Sequence, residues 1–343
     1  MGGMLTVIEN YQRDGIFDKW NVQFICSHDD GSAFEKIRIF LNAFFEVFML
    51  LTKGRVALMH CHVSMKGSFW RKFILTSLSR CFGVRVILHL HGSETEIYYQ
   101  SLPSFLKSIV KTQLTKATLV LVLSESWHSF VLKVAPKANV MVMKNYVSLP
   151  EILMIDKADN TINMLFLGLL GKRKGIYDLL DALAFSVKKM PELYLRIGGN
   201  GDIEQAKAYA HKLGLDPYVE FLGWVGNTEK NQLLRDADMF ILPSYNEGLP
   251  VSILEAMSYG IPVISTKVGG IPELITDNVS GFLITPGDIL DLQNRLERLA
   301  GDLNLRNCIG SAGKEIIQQQ YAKDIILPKL ELLYETLSLY KVK

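Results

Sequence analysis

The stretch MFILPSYNEGLPVSILEAMSYGIPVIST, residues 239–266, decides the fold. Its ends, MFILPS and PVIST, are short runs apolar on both faces, the composition of strands covered from both sides. Between them, Pro250 suits the first turn of a helix, and the residues after it supply that helix. Strand, helix and strand in so short a span mark parallel strands joined by a crossover helix, the unit of a doubly wound α/β sheet. Ligands of such sheets bind beyond the carboxyl ends of the strands. This stretch keeps its polar residues there.

Two of those residues are acids. Glu247 stands just before Gly248, Leu249, Pro250 and Val251, and Glu255 lies inside the helix. Backbone N–H groups around residues 248–252 point out of the helix N-terminus and form a ready anion site. Glu247, beside that site, is placed to accept hydrogen bonds from hydroxyls next to the anion. Glu255 lies about 1.5 turns into the helix, among Ile253, Leu254, Ala256 and Met257. A carboxylate in that setting is partly buried and needs a partner, which a pair of ribose hydroxyls would supply. Hydroxyls, diphosphate and ribose together describe a nucleotide-sugar. The bland alternative is two solvated acids flanking a turn.

The same alternation of strand and helix fills the chain. Strand-like runs occur at 55–62, 85–91, 117–124 and 139–145, then at 162–168, 193–199, 219–225, 239–244, 262–266 and 281–286. The break falls near residues 148–161, a mixed, polar and proline-containing segment. The expected domains are residues 1–155 and 156–323, each a Rossmann-like parallel sheet, with a last helix over 324–343 packing back toward the first domain. Thr228 is the expected N-cap of the helix after the 219–225 strand. The helix over residues 34–53 is apolar around most of its circumference, which suits either a deeply packed core helix or contact with a membrane surface.

Net charge is only +2, which does not argue for nucleic acid. It hides an asymmetry: residues 1–150 hold 17 Lys/Arg against 10 Asp/Glu, while residues 151–343 hold 20 against 25. A basic first half is expected to face an anionic membrane surface or phosphates. KGSFWRKF, residues 66–73, sets Lys66, Arg71 and Lys72 beside Phe69 and Trp70, a composition that suits a membrane interface or a lipid diphosphate, or a plain surface helix start. No apolar run of about 18 residues occurs, so no spanning helix is expected. The cysteines Cys26, Cys61, Cys81 and Cys308 show no zinc or disulfide spacing and fit a reducing compartment. The expected location is the cytoplasm, peripheral on the inner face of the cell membrane.

Two further loops follow strands. GLLGKRKG, residues 168–175, combines glycines that admit backbone N–H groups to a ligand with the cations Lys172, Arg173 and Lys174. It lacks the P-loop spacing. GGNGD, residues 198–202, contributes Gly199 and Asn200 to a tight turn and is not a dinucleotide fingerprint. The DAD triplet at 236–238 mimics a metal motif but lies where a helix enters a strand, at the wrong end of the sheet. His60, His62, His89 and His91 end strands. The first three read as structural rather than metal-binding, since two different strands hold them and no carboxylate accompanies them.

The pieces GKRKG, GGNGD, FLGWV, DADMFILPSYNEGLPVSILEAMSYGIPVIST, VGGIPELI and NVSGFLITPGD run in order over residues 162–290. In them the second half resembles the donor domain of the retaining glycosyltransferases of family 4, the group 1 glycosyl transferases, in the GT-B architecture. That architecture sets two Rossmann-like domains facing across a cleft. The first half resembles the family more loosely, through HCHVS, HLHGSE, VLVLSES and KNYV. The subset most resembled assembles bacterial surface polysaccharides. The resemblance implies that Glu255 binds the donor ribose and that Glu247 meets the sugar hydroxyls on the face where transfer occurs. It assigns Lys174 to the donor diphosphate and His91 to the neighbourhood of the transferred sugar. Arg173 is expected to supply the second phosphate cation, because Leu169 stands where the family often has arginine. The implied reaction needs no metal and no cofactor, and moves a sugar with retention from a nucleoside-diphosphate sugar to a saccharide or polyprenyl-diphosphate-linked acceptor. The leaving phosphate oxygen takes the acceptor proton. Two alternatives stay open: a nucleotide-sugar epimerase or phosphorylase on the same fold, and a non-catalytic partner subunit of a glycosyltransferase complex.

The chain begins MGGMLTVIENYQRDG. Gly2 and Gly3 look like the turn between a first central strand and its helix, and in the resembling family that turn lies by the acceptor. Only Met1 precedes it, so the first strand of the N-terminal domain is expected to be missing, as in an N-terminally shortened form. Its two neighbours would then be left unpaired in the middle of the sheet.

Overall fold

The computed structural model describes residues 3–29, 31–151 and 160–339. The chain forms two compact units. Among the described residues, one comprises residues 3–144 and 327–339; the other comprises residues 145–326.

The first unit holds a parallel sheet of four strands, β1 (Leu58–Val63), β2 (Arg85–Leu90), β3 (Leu119–Val122) and β4 (Val140–Val142), in spatial order β1-β2-β3-β4. β2, β3 and β4 lie within runs that the sequence marks as strands, and β1 extends one residue past the run 55–62. Helices Gly67–Cys81, Ser104–Lys116 and Glu125–Val134 connect them. Val86, Leu88, Leu90, Val120 and Val122 form the centre of one face of the core.

The expected interruption takes a different form. Among the described residues no strand precedes Leu58, and the sheet has no gap. A gap needs a strand on each side of it. Here the helix Gly3–Arg13 leads through the irregular, mostly exposed residues 22–29 into the helix Ala33–Thr52, so β1 is the end strand of a continuous sheet. Gly3 is the first residue of its helix rather than part of a turn. Gly2 lies outside the described residues.

The helix Ala33–Thr52 also corrects one of the two readings of its composition. It starts at a capping box in which the Glu35 N–H donates to Ser32 Oγ and the Ser32 N–H donates to Glu35 Oε2. The Ser32 N–H and the Ser32 hydroxyl, both donating to Glu35 Oε2, hold the Glu35 carboxyl below its usual range. Only Ala43, Val47 and Leu51 are buried, on one face. Phe34, Ile37, Leu41, Phe45 and Phe48 are exposed and fall at helical spacing on the opposite face. It is therefore not a core helix.

The second unit holds six parallel strands, β5 (Ile162–Leu167), β6 (Leu193–Gly198), β7 (Val219–Gly223), β8 (Met239–Leu242), β9 (Val263–Thr266) and β10 (Phe282–Ile284). Their order is β10-β9-β8-β5-β6-β7. Chain order reverses between β5 and β8, so the loops after these two strands diverge to opposite sides and open the crevice where doubly wound sheets bind ligands. The helices Ile176–Ser186 and Val251–Ser258 start just beyond them and bury Leu179, Leu180, Leu183, Ile253, Leu254 and Met257 completely. The helix before β8 begins at Asn227 with Gly226 as its cap, two residues earlier than Thr228 predicts.

The two loops approach so closely at the switch that only glycine fits. Gly175 has φ +71°, and a Cβ there would lie 2.0 Å from the Pro243 carbonyl oxygen. Gly175→Ala is expected to lower stability by at least about 1–3 kcal/mol through the backbone conformation alone. A denaturant melt with an unchanged midpoint would contradict this packing.

Candidate functional site

The site of the second unit forms where the loop after β5 meets the loop after β8. The Tyr245 N–H donates to the Arg173 carbonyl at 2.8 Å, and Arg173 Nη1 donates to the Asn246 carbonyl at 3.2 Å. Lys174 Nζ lies 2.5 Å from Glu247 Oε1, which also accepts from Ser244 Oγ at 2.7 Å. Glu247 is 6% exposed. This is a buried ion pair with a second hydrogen bond, the condition under which a buried pair is tolerated.

The loop 243–250 is held from other sides too. Ser265 Oγ donates to the Leu242 carbonyl and Thr266 Oγ1 to the Ser244 carbonyl. The Gly270 N–H donates to the Gly248 carbonyl at 2.7 Å, and Asn145 Nδ2 donates to the Leu249 carbonyl at 2.7 Å. Pro250 caps the helix Val251–Ser258, and Leu249 and Val251 are buried against the core. Glu255 pairs with Lys230, Nζ to Oε1 2.6 Å, both about one-fifth exposed.

Gly199 and Asn200 sit in the turn after β6, against the β5 loop. The Gly199 N–H donates to Gly223, and the Leu170 N–H donates to the Asn200 carbonyl at 2.7 Å. Leu169 is half exposed, and the Arg173 side chain sits beside the loop 244–247. Asp238 of the DAD triplet accepts the Asn163 N–H at the amino end of β5, away from this site.

The structure thus brings together Arg173, Lys174, Glu247 and residues 248–251, with Glu255 one helix turn further on. Sequence reasoning missed Lys230, Ser244 and Asn145. Ser244 is legible in principle, three residues before Glu247. Lys230 and Asn145 meet their partners across 25 and 104 residues, and no local pattern marks them.

In the first unit the four histidines gather on one face of the sheet. The β1–β2 register sets His62 opposite His89. His62 Nδ1 lies 2.8 Å from His91 Nε2, His60 Nε2 lies 3.2 Å from His89 Nδ1, and His60 Nδ1 lies 2.6 Å from Tyr334 Oη. The reason for treating them as separate, their placement on two strands, fails because those strands are neighbours in register. Burial pushes His60 and His91 down to about 3, and burial together with the neighbouring imidazoles holds His62 and His89 well below the usual histidine range, so all four imidazoles are neutral at physiological pH.

Residues 154–316 match the family model of the glycosyl transferases group 1. The second unit is a group 1 glycosyltransferase domain. Among similar curated proteins, the lipopolysaccharide core biosynthesis glycosyltransferase LpsE of Rhizobium meliloti is 27% identical over 196 residues, 55% of this chain and 56% of that protein. The amylovoran biosynthesis glycosyltransferase AmsK of Erwinia amylovora is 32% identical over 193 residues, 53% of this chain and 47% of that one. The sulfoquinovosyl transferase SQD2 of Arabidopsis thaliana is 34% identical over 146 residues, 42% of this chain and 28% of that one. The chain spans between about a quarter and just over half the length of these relatives. Among solved structures, sucrose-phosphate synthase from Thermosynechococcus elongatus is similar at TM-score 0.74 and 22% identity, over 89% of this chain and 78% of that one. Anabaena HepE, in complex with UDP and glucose, is similar at TM-score 0.71 and 21% identity, over 87% and 82%. At such identities the likeness carries the fold, which is GT-B, with two parallel-sheet units.

Removing one member of the Lys174–Glu247 pair strands a buried charge. Lys174→Met and Glu247→Ala are each expected to destabilise the protein by about 3–5 kcal/mol. The double variant Lys174→Met/Glu247→Leu is expected to recover part of that loss. Urea unfolding of the three variants checks the coupling; additive losses would show that the pair is not an interacting unit.

Proposed function

We propose that this protein is a retaining hexosyltransferase. It moves a sugar from a nucleoside-diphosphate sugar to a hydroxyl of a saccharide acceptor carried on a polyprenyl diphosphate, in surface-polysaccharide assembly. The observation that supports this best is the meeting of Lys174 and Glu247 at the switch point of the second sheet, with Glu255 one helix turn beyond. Structural neighbours support the donor class, since HepE is solved with UDP and with UDP-glucose, and relatives such as LpsE and AmsK are named for polysaccharide biosynthesis.

The chemistry follows from the donor and acceptor inventory of these side chains. Lys174 gives one N–H to Glu247 and keeps two for phosphate oxygens. Arg173 and the N–H groups at 248–251 add to the field that stabilises the departing diphosphate. Glu247 Oε1 is taken by Lys174 and Ser244, and Oε2 accepts sugar hydroxyls. Glu255 Oε1 is taken by Lys230, and Oε2 accepts ribose hydroxyls. Gly199 and Asn200 line the donor side. His91 acts near the transferred sugar in this reading, on the resemblance alone. The leaving phosphate oxygen takes the acceptor proton. With protein cations on the diphosphate, transfer requires no magnesium, manganese or organic cofactor. The first unit serves the acceptor.

Kinetics test the assignment. Glu255→Ala is expected to raise the donor KM about tenfold or more with little change in kcat, because ribose contacts exist equally in ground and transition states. Glu247→Gln is expected to lower kcat by about 10²-fold or more. Added Mg²⁺ or Mn²⁺ is expected to leave the rate unchanged. Both variants at wild-type rates would overturn the site, and NMR showing the opposite anomer in the product would overturn retention.

The lipid-linked acceptor carries an expectation for the membrane. The enzyme works in the cytoplasm against the inner face of the cell membrane, through the exposed stripe Phe34, Ile37, Leu41, Phe45 and Phe48, with Lys36 and Arg38 at its start. The 66–73 segment is the weaker contact: Phe69 is buried, Lys66 pairs with Glu94, and Lys72 donates to Ser27. No helix among the described residues is long and apolar enough to cross a membrane. Flotation is expected to show binding to anionic but not neutral vesicles, lost in Phe34→Ser/Leu41→Ser/Phe45→Ser. Equal recovery with both vesicle types, or none, would remove this mode of attachment.

A further inference from the structure

We propose that His60, His62 and His89 bind a divalent transition-metal ion of the zinc class, at a site in the first unit separate from any metal on the donor diphosphate. Each of these side chains offers a ring nitrogen within 4.8 Å of the other two. The site is built by register: β1 carries His60 and His62 on one face, and β2 sets His89 directly opposite His62. The tightest pair, His60 Nε2 and His89 Nδ1, is 3.2 Å apart. Two nitrogens on a tetrahedral zinc ion, each about 2.0–2.1 Å from the metal, lie about 3.3–3.4 Å from one another. The two rings stand close to that spacing without any rearrangement of the sheet.

The surroundings of the rings favour the same assignment. A ligating histidine usually donates its second ring N–H outward, which fixes the tautomer and turns the other lone pair to the metal. His60 Nδ1 is 2.6 Å from Tyr334 Oη. His89 Nε2 is buried and meets no hydrogen-bond partner by geometry, while the Met143 backbone bears on the ring. With ring protons on those outer nitrogens, His60 Nε2 and His89 Nδ1 present two lone pairs to each other, an arrangement that a shared cation stabilises. His62 Nδ1 faces His91 Nε2 and leaves its own Nε2 for the ion. Three imidazoles without a carboxylate suit zinc, cobalt, nickel or copper and not magnesium or calcium. They leave the fourth position to water. His60 and His62 are partly exposed, which gives an ion a way in. Lys72, whose charge bears on His62, works against the site; its ammonium is held by Ser27 Oγ at 2.6 Å. The competing arrangement is a hydrogen-bonded imidazole cluster in which Tyr334 donates to His60 and His60 donates to His89.

The test uses the full chain, stripped with a chelator and titrated with Co²⁺ and Zn²⁺, following cobalt d–d absorption, calorimetry and the melting temperature. One equivalent is expected to bind, with a rise in melting temperature, and Mg²⁺ is expected neither to bind nor to compete. His60→Gln and His89→Gln are expected to abolish stoichiometric binding, and Tyr334→Phe to weaken it about 10–100-fold. His128→Gln and His211→Gln, on histidines elsewhere, are expected to bind as wild type. Circular dichroism of the stripped variants separates lost ligands from lost fold. Should His60→Gln not fold, His62→Gln and Tyr334→Phe decide. No stoichiometric Co²⁺ binding, binding indifferent to the cluster variants, or a thiolate charge-transfer band pointing to a cysteine would overturn the proposal and leave the hydrogen-bonded cluster in its place. None of these readouts depends on glycosyl transfer, so the site stands or falls apart from the proposed function.

Discussion

The ion pair between Lys174 and Glu247 joins two loops that the sheet itself drives apart. At the switch between β5 and β8 the chain leaves neighbouring strands toward opposite sides. Nothing in sheet hydrogen bonding makes the loops after those strands meet. They meet because a cation from one and a carboxylate from the other are both largely withdrawn from water and satisfy each other, with Ser244 supplying a second hydrogen bond. Gly175 permits the approach by having no Cβ where the Pro243 carbonyl lies, and Gly269 does the same at the Glu247 carbonyl. Enlarging either glycine pushes on the backbone that carries the pair. The site geometry and local stability are therefore one property, and a substitution that loosens the loops acts on both.

The first unit depends on register in a comparable way. Side chains alternate across a strand, so the HCH and HLH segments each place two histidines on one face and an apolar residue, Cys61 or Leu90, on the other. Parallel pairing with His62 opposite His89 stacks the imidazoles into one cluster. A one-residue slip would carry one pair of histidines to the opposite face. The apolar faces of β2 and β3, buried almost completely, fix the register that makes the cluster.

All ten strands are legible in the sequence because each is a short apolar run bounded by turn residues, a local property. Lys174, Glu247 and Glu255 are legible because each stands next to a strand end or a helix start, where topology alone makes a polar residue matter. What local pattern does not carry is the identity of distant neighbours. Glu255 needs a partner on physical grounds, and ribose hydroxyls answered that need in the sequence reading, yet its nearest charge is Lys230, brought over from another helix. The helix Ala33–Thr52 is apolar almost all round, and composition does not tell which of its faces meets a core. Only the packing shows that Ala43, Val47 and Leu51 do and that Phe34, Leu41 and Phe45 do not. The histidines are visible in the sequence as residues but not as a cluster, because strand adjacency is a fact of pairing rather than of spacing.

Both acids of the second unit thus have lysine partners, and this bears on how such a site discriminates. Pairing with lysine orients each carboxylate while leaving one of its oxygens and two ammonium N–H groups uncommitted. The arrangement is costly to assemble, and the cost is met in folding, through the buried strands and the glycine contacts, before any substrate arrives. A ligand that offers hydroxyls next to phosphate satisfies the free oxygen and the free N–H groups together. One that offers only phosphate leaves the buried carboxylate oxygen without a donor, and one that offers only hydroxyls leaves the ammonium groups unsatisfied. Selection for a molecule carrying both groups at adjacent positions follows from that joint requirement rather than from the strength of either contact.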